Sequence, residues 1–318
     1  MLFMNSSGDM MAFRLQDSSF HYEIRLEGNA VNNVQSFQGC LVSSNNAHLC
    51  LLDTAKNLSY YHWKGVKWQR ICTWQQVAPS FQSALDPSGI FHLIIPSPEG
   101  NRLFSFPGQE EQEADLHFLE PDSLLLQLYA VDQDNLLLLR KEITESACCI
   151  TYYNYNSPSH TWSEKIPVAN LPLDCQDLQF FFSQGMVHMT YFTPDRNKKL
   201  LNLLSINAGS GDIVEHCLGK LSSSVLPPVM STLDDDIIIL VLEPNNLIYW
   251  RSRDQGQNWT TKGELPCPWP LELVPVVNPQ KEITDYIALE GFYGLELGRP
   301  GLLTTGKLLS LSPYGLWL

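Results

Sequence analysis

A strand-turn-strand pattern recurs along the chain at a nearly constant interval, and this repeat constrains the fold more than any other feature. In each copy, an apolar residue and an aromatic pair precede a polar turn, which is followed by a tryptophan and a second polar strand. The clearest copies are LSYYHWKGVKWQRI (58–71), ITYYNYNSPSHTWSEKI (150–166) and LIYWRSRDQGQNWTTKG (247–263). Weaker copies begin at residues 11, 102 and 201. The six copies have anchors separated by 47, 44, 48, 51 and 46 residues, namely Phe13, Tyr60, Phe104, Tyr152, Leu203 and Tyr249.

Each hairpin is preceded by a short apolar run that has the character of a buried strand. These runs are residues 48–52, 90–95, 135–140, 186–192, 237–242 and 284–289. A further strand-like segment, such as 177–182 or 229–232, brings each unit to four strands. No apolar pattern with helical spacing extends beyond two turns. A period near 45 residues with four strands per unit predicts an all-β fold, a β-propeller built from four-stranded blades.

The two ends of the chain complement each other in this repeat. Residues 1–13, MLFMNSSGDMMAF, align without gaps on residues 48–60, so residues 1–5 are interpreted as a second strand that lacks its first. The end of the chain, SLSPYGLWL, is similar to residues 83–92, which contain a first strand, a turn and the start of a second. Strands from both termini are therefore expected to close one composite blade, which leaves no long unpaired edge. We predict a single domain over 1–318 with seven blades, the unit at 271–305 being compact. Six blades with a C-terminal tail is the alternative.

One hairpin turn carries a distinctive spacing of small, acidic and aromatic residues. In RSRDQGQNW, the pattern S-x-D-x-G-x-x-W places Ser252, Asp254, Gly256 and Trp259 between two strands. Asp254 is expected to hydrogen-bond its own backbone two residues on, Gly256 to adopt a positive φ, and Ser252 to add a hydroxyl bond. Trp259 is expected to fold back as an apolar cover between blades. The sequence therefore predicts a structural turn, and a ligand site is the less favoured interpretation.

This motif resembles the Asp-box of the sialidase-like, BNR-repeat β-propellers. The resemblance is limited to one strong copy and weaker echoes at 156–162 and 64–68. It implies the propeller fold and raises the possibility of sialidase chemistry, which would need three converging arginines. Arg14, Arg140 and Arg196 are candidates for that role, but nothing in the sequence selects them. No carboxylate pair for glycoside hydrolysis can be named, so a non-catalytic protein is favoured and enzymatic activity is left open.

A binding surface is predicted where loops gather at one end of the blades, as the propeller fold implies. The loops in question are residues 73–82, 169–177, 219–228 and 266–271, with the turn 193–199. They carry aromatic side chains and rare positive charges, and we predict a binding site from Trp74, Phe81, Trp269, Arg196 and Lys198. The favoured ligand is a protein or peptide. The alternative is a carbohydrate-binding or glycoside-hydrolase-like propeller, and Trp74 and Trp269 could instead simply cover blade edges.

The composition excludes several other classes of function. The net charge of −14, from 20 Lys+Arg against 34 Asp+Glu, disfavours nucleic acids and anionic membranes as partners. No apolar run approaches the length of a membrane span, and the N-terminus lacks the basic region of a secretory signal, so a cytoplasmic monomer is expected. The eight cysteines contain no CxxC pair and are expected to be free, buried thiols. No histidine or cysteine cluster predicts a metal, and no cofactor is expected.

Overall fold

The fold consists of β-strands and turns. The computed structural model describes residues 2–4, 10–14, 19–21, 25–26, 29–30, 33–43, 46–64, 67–97, 100–106, 112–116, 124–233, 236–260, 263–266, 271–278, 283–290 and 300–303. Within these ranges there is no helix, and every strand pairs antiparallel with its neighbour. The prediction of an all-β fold is therefore confirmed.

The strands of the N-terminal half form three sheets and a short hairpin. Sheet 1 contains β1 (Leu2–Met4), β2 (Met10–Arg14) and β3 (Ser19–His21), and the hairpin contains β4 (Arg25–Leu26) and β5 (Asn29–Ala30). Sheet 2 contains β6 (Val34–Ser43), β7 (Asn46–Asp53), β8 (Leu58–Trp63) and β9 (Trp68–Trp74). Sheet 3 contains β10 (Gln82–Leu85), β11 (Phe91–Ser97), β12 (Gly100–Phe106) and β13 (Gln112–Leu116).

The remaining strands form four further sheets. Sheet 4 contains β14 (Leu124–Ala130), β15 (Asn135–Ile143), β16 (Cys148–Asn156), β17 (Thr161–Trp162) and β18 (Ile166–Leu171). Sheet 5 contains β19 (Gln176–Ser183), β20 (Met186–Asp195), β21 (Lys198–Asn207) and β22 (Ile213–Ser222). Sheet 6 contains β23 (Val229–Leu233), β24 (Asp236–Glu243), β25 (Asn246–Ser252) and β26 (Gly263–Pro266). Sheet 7 contains β27 (Leu271–Asn278), β28 (Ile283–Glu290) and β29 (Pro300–Leu303).

The predicted strand pattern agrees closely with these sheets. The six apolar runs interpreted as second strands are β7, β11, β15, β20, β24 and β28. Several sheets have the predicted four antiparallel strands. Residues 310–318, which were expected to close the composite blade, lie outside the described residues, so the number of blades and the closure stay predictions.

The chain divides into two compact units. Unit 1 comprises Met1–Ile143 and Ile150–Pro167, and unit 2 comprises Thr144–Cys149 and Val168–Leu318. The prediction of a single domain is not tested by this division and stays a prediction.

Second strands supply the core because both of their faces are covered. In β11, Leu93 and Ile95 pack with sheet 2 in one apolar cluster, whereas Ile94 packs with sheet 4 in another. In unit 2, residues of sheets 5 and 6 form an equivalent cluster that includes Phe192 and Ile239. Each fully buried aliphatic side chain contributes about 1.5–3 kcal/mol relative to an exposed one. Stacked sheets therefore stabilise one another through these middle strands.

Buried histidines are a polar feature of these middle strands. Three of them lie directly opposite a polar residue of the third strand, in the pairs His48–His62, His92–Ser105 and His188–Ser205. Nδ1 of His188 is 2.9 Å from Oγ of Ser205, and the His188 side chain is fully enclosed. Burial lowers the pKa of His188 to about 4. Burial and the neighbouring His62 together lower the pKa of His48 to about 3.

Acidification is expected to destabilise the fold through His188. From the ordinary pKa of 6.5 down to about 4, the unfolded chain binds a proton at this imidazole that the folded chain does not. The free energy of unfolding should therefore decrease as the pH is lowered through this window, by about 3 kcal/mol for this residue. Urea denaturation at a series of pH values measures the loss, and His188→Gln should reduce it. The exposed His160→Gln is the control, and an unchanged pH dependence in His188→Gln would contradict the assignment.

Candidate functional site

The turn that follows β25 has the local structure predicted from its sequence. The Ser252 hydroxyl donates to Oδ1 of Asp254 over 2.9 Å and accepts from the backbone N–H of Gly256 over 2.8 Å. Gly256 has a φ of 86°. One detail differs, because Asp254 accepts from the backbone and side chain of Asn258, four residues on, over 2.8 and 2.7 Å. Hydrogen bonds from Asn258 lower the pKa of Asp254, which favours the ionised acceptor.

Trp259 closes this turn in the predicted manner. Its indole Nε1 donates to the backbone carbonyl of Gly256 over 3.1 Å, and its ring packs against the apolar cluster shared by sheets 5 and 6. The backbone N–H of Thr260 donates to the carbonyl of Arg251 over 2.9 Å. The aromatic residue thus covers the edge of the core, as expected.

The same turn docks on a buried pair of sheet 5. A Cβ atom placed on Gly256 would lie 2.6 Å from Cε1 of His188 and 3.0 Å from Oγ of Ser205. Only glycine fits this approach, which also requires a positive φ. Ser252, Asp254 and Trp259 all bond within the turn and so hold it in one shape. In that shape Gly256 lies against His188 and Ser205, and the motif therefore connects sheets 5 and 6.

A second polar constellation, in unit 1, has the residue types of a hydrolytic triad. Nδ1 of His92 is 2.9 Å from Oγ of Ser105, and its Nε2 is 3.4 Å from Oδ2 of Asp86. Asp86 also accepts from Ser88 and from the backbone N–H of Ile90. Burial tends to raise the pKa of Asp86, but these hydrogen bonds outweigh burial and the pKa is lowered. His92 and Asp86 are both buried, Ser105 is half-buried, and the hydrogen bonds of Asp86 stabilise the turn before β11.

Two of the aromatic residues predicted to bind a ligand belong to the core of unit 1. Phe81 is only 1% exposed, and Trp74 packs on Phe104 with a centroid separation of 4.9 Å. The expected exposure of Phe81 is wrong because the loop before β10 folds back onto sheet 2. There, Gln38 donates to the carbonyl of Phe81 over 3.0 Å, and the N–H of Val77 donates to the carbonyl of Lys56 over 3.0 Å. Trp269 lies outside the described residues.

Arg196 and Lys198 are brought together at the tip of the β20–β21 hairpin. Asp195 pairs with Lys198, so the hairpin turns through Arg196 and Asn197. Lys198 in turn pairs with Ser222 at the end of β22. The connections at 172–175 and 223–228 therefore lie at the same end of sheet 5 as this turn. We call these three segments, residues 172–175, 195–198 and 223–228, the loop end of unit 2.

The charges at the loop end of unit 2 are of two kinds. Lys199 pairs with Asp177 over 3.1 Å, and Lys220 pairs with Asp195 over 2.5 Å. Nζ of Lys199 also lies 5.0 Å from the centroid of the Phe192 ring. Arg196 and Lys198, by contrast, are exposed, and neither forms an ion pair with a residue that the structure describes. Lys199 and Lys220 therefore link strands through ion pairs, whereas Arg196 and Lys198 are available to contact a ligand.

Sequence reasoning missed two exposed leucines at this end. Leu173 is 52% exposed and Leu226 is 43% exposed. Each adjoins proline, in Leu171-Pro172-Leu173 and in Leu226-Pro227-Pro228. A proline next to a leucine disfavours continued strand pairing, so these sequences could have indicated apolar loop tips.

The arginines considered for sialidase chemistry have different environments. Arg140 is 1% exposed, donates to the Tyr153 hydroxyl over 3.1 Å and lies 5.4 Å from the Tyr153 ring centroid. Arg196 is exposed in a turn of unit 2. The Arg14 side chain lies outside the described residues. Arg140 is therefore used in the core of sheet 4, where a substrate carboxylate does not reach it.

The described part of the chain contains neither a metal cluster nor a helix that could span a membrane. There, no three His, Cys, Asp or Glu side chains are grouped in a way that could hold a metal ion. No described helix has the length and apolar character of a membrane span. The cysteines that the structure describes are free thiols, and Cys217 among them is exposed rather than buried as expected.

Comparison with solved structures shows which proteins share this fold. The polysaccharide lyase Uly1 matches with a TM-score of 0.58 and 10% identity, covering 92% of this chain and 83% of the lyase. A polysaccharide lyase of family PL25, an ulvan lyase, matches with a TM-score of 0.57 and 10% identity, covering 90% and 86% of the two chains. The fucose-specific lectin from Aleuria aurantia matches with a TM-score of 0.49 and 12% identity, covering 88% and 97%.

These matches concern the fold alone. At 10% identity, the two lyases show that the chain has a β-propeller-like fold. No protein-family model matches the sequence. No curated protein matches it either.

Replacing Gly256 by alanine tests the docking of the turn on His188. The new methyl group must displace the buried imidazole, and alanine disfavours a φ of 86°. We expect a loss of about 2–4 kcal/mol in the free energy of unfolding, from strain and overpacking together. Gly89→Ala is the matched control, because Gly89 has a φ of 87° with nothing within 4 Å of the added Cβ. Its loss should be about 1 kcal/mol. Equal losses in urea denaturation would show that the contact with His188 is unimportant.

Proposed function

We propose that this chain is a carbohydrate-binding protein with a β-propeller frame, and that its saccharide site is the loop end of unit 2. The observation that carries the proposal is the exposure of Arg196 and Lys198 beside connections that present Leu173 and Leu226. Guanidinium and ammonium groups donate hydrogen bonds to sugar hydroxyl oxygens, and apolar side chains pack on the C–H faces of sugar rings. Both kinds of contact are available at this end.

The strands that carry the loop end are held together by polar contacts before any ligand arrives. Asn202 Nδ2 donates to Thr193 Oγ1 over 3.1 Å, and Lys199 bridges β21 to Asp177 of β19. At the adjoining sheet, the backbone N–H of Ser222 donates to Oε1 of Glu243 over 2.5 Å. A fixed frame positions the hairpin tip and the neighbouring connections, which reduces the backbone entropy that is lost on binding.

The fold comparison is the reason for preferring a saccharide to a protein. The sequence favours a protein or peptide partner, because exposed aromatic residues are expected on the loops. Phe81 is instead buried, and the structures that share this fold include two proteins named as polysaccharide lyases. The proposal concerns binding and not a chemical step, since Asp177 and Asp195 are both held in ion pairs with lysines. We also propose that the blades number seven and close into a ring, which the regular repeat spacing supports. The turn after β25 is proposed to be an Asp-box, because it has the S-x-D-x-G-x-x-W spacing.

The exposed leucines provide a test of this location. In the double variant Leu173→Ser/Leu226→Ser, affinity for a bound oligosaccharide should fall about 3- to 30-fold, since burial of each leucine contributes on the order of 1 kcal/mol. Ile213→Ser is the matched control, because Ile213 is 42% exposed at the opposite end of sheet 5. Its affinity should be unchanged, as measured by isothermal titration calorimetry.

The ligand class is tested first on the unmodified chain. A panel of immobilised neutral and acidic polysaccharides, with unrelated peptides in parallel, should give saturable binding to a saccharide that free oligosaccharide displaces. Binding to peptides alone, or to no member of the panel, would refute carbohydrate binding. Equal loss in the double variant and in Ile213→Ser would refute the location.

A further inference from the structure

We infer that the β20–β21 turn recognises an oxyanion, so that the saccharide bound by this chain carries carboxylate or sulfate groups. This inference rests on the proposed function and narrows it to acidic saccharides. Its elements are Arg196, in the two-residue hairpin turn, and Lys198, the first residue of β21, with Asn197 between them. Both side chains are exposed.

The local balance of charge leaves these two residues without an ion-pair partner among the described residues. The two nearby carboxylates with ion-pair partners, Asp177 and Asp195, are engaged by Lys199 and Lys220. The charges of Arg196 and Lys198 are therefore not neutralised by any acidic residue that the structure describes within ion-pair distance. Asp174, on the 172–175 connection, is the remaining exposed acidic residue of the loop end. Two uncompensated cations thus face solvent in a chain with a net charge of −14.

The overall negative charge of the chain makes the two exposed cations of this turn stronger support for an anion site than the same two residues would be in a basic protein. A strongly acidic chain repels anions at long range, so non-specific attraction does not account for anion binding. Only short-range contacts at a local positive site can overcome this repulsion. Arginine suits the task because its planar guanidinium matches a carboxylate or sulfate with two parallel hydrogen bonds. The ammonium group of Lys198 adds a second, more mobile donor.

The backbone at Arg196 determines how the role of this side chain can be tested. Arg196 has a φ of 59°, a left-handed conformation that glycine adopts without strain and that a long side chain disfavours. Asn197, a residue type well suited to such a conformation, is the next residue in the turn. The structure therefore has an arginine where a hairpin turn of this kind favours glycine. Lys56 and Gln184 have the same kind of backbone, so the conformation makes Arg196→Gly a substitution that the fold accepts, and a functional role is indicated by the charge and exposure of Arg196.

The variant Arg196→Gly separates the functional side chain from the strained backbone. Glycine relieves the left-handed conformation, so the melting temperature should rise by about 1–3 °C. The guanidinium is lost, so affinity for an acidic oligosaccharide should fall about 10- to 100-fold, as expected for a charge-assisted hydrogen-bonded pair. Higher stability together with weaker binding is a result that a purely structural role would not produce. Lys198→Gln should weaken binding by a smaller factor.

Lys56→Gly is the matched control for this variant. Lys56 is an exposed cation with a φ of 64° in the β7–β8 turn of unit 1. Its replacement removes the same charge and relieves the same kind of strain, so the melting temperature should rise by a similar amount. Affinity for the acidic oligosaccharide should not change. An equal loss of affinity in Lys56→Gly would show that net charge governs binding, and this would overturn the inference.

Three oligosaccharides distinguish the chemistry of the ligand. They are a galacturonic acid oligomer, the same oligomer with its carboxylates methyl-esterified, and a sulfated galactan oligomer. We expect the carboxylated or the sulfated oligomer to bind at least about 10-fold more tightly than the methyl ester, with affinity falling as salt is raised. The tighter of the two acidic oligomers identifies the oxyanion.

The outcomes for the two proposals are separate. A methyl ester that binds as tightly as both acidic oligomers, or unchanged affinity in Arg196→Gly, would overturn the oxyanion inference and leave carbohydrate binding standing. Binding to neutral polysaccharides of the panel alone would do the same. Failure of the chain to bind any saccharide would refute the proposed function itself.

Discussion

Burial of the second strand on both faces is the constraint on which the rest of the structure depends. In β7 and β24, six consecutive residues are buried, so neither face of the strand can be left to solvent. The third strands, such as β8, alternate buried and half-buried residues. A sheet whose middle strand is apolar on both faces needs another sheet packed against each face. The neighbouring sheet has an apolar middle strand of its own and so has the same requirement. Within each unit, the stacking of successive sheets follows from this one requirement.

The same constraint explains which parts of the fold could be predicted from the sequence. Continuous apolar runs such as residues 237–242 have few other interpretations in a chain without helical spacing, and they were placed within a few residues of β24. Outer strands such as β17 are short and half-exposed, so their sequences resemble those of turns. The inward position of Phe81 depends on Gln38, which lies 43 residues earlier in the chain. A contact of that kind leaves no local pattern in the sequence, and the general rule that loops lie at the surface pointed the wrong way.

Polar contacts between sheets add the specificity that apolar packing lacks. Apolar faces attract without a preferred direction, so they permit one sheet to slide on the next. The close approach of Gly256 to His188 fixes such a position, because the turn fits over the imidazole only where no Cβ intervenes. The sequence showed the turn chemistry of the S-x-D-x-G-x-x-W motif but not the surface that it meets. Asp254 bonds Asn258 rather than the residue two positions on, and the backbone N–H of Gly256 donates to Ser252 instead.

Turns at the loop end of unit 2 are under a weaker constraint than the strands that carry them. Once β20 and β21 are paired over ten residues, the cost of an unfavourable conformation in the two-residue turn is small compared with the stability of the hairpin. Local preference and overall fold agree in most of this chain, and disagreement is tolerated where selection for another property outweighs it. Arg196 is such a disagreement, since the strands determine the backbone of the turn and glycine would satisfy it better. Lys56 and Gln184 are disagreements of the same kind, so a strained turn residue is tolerated wherever paired strands determine the backbone. Arg196 differs from them in its place beside Lys198 at the loop end of unit 2, and its guanidinium is therefore the group to remove.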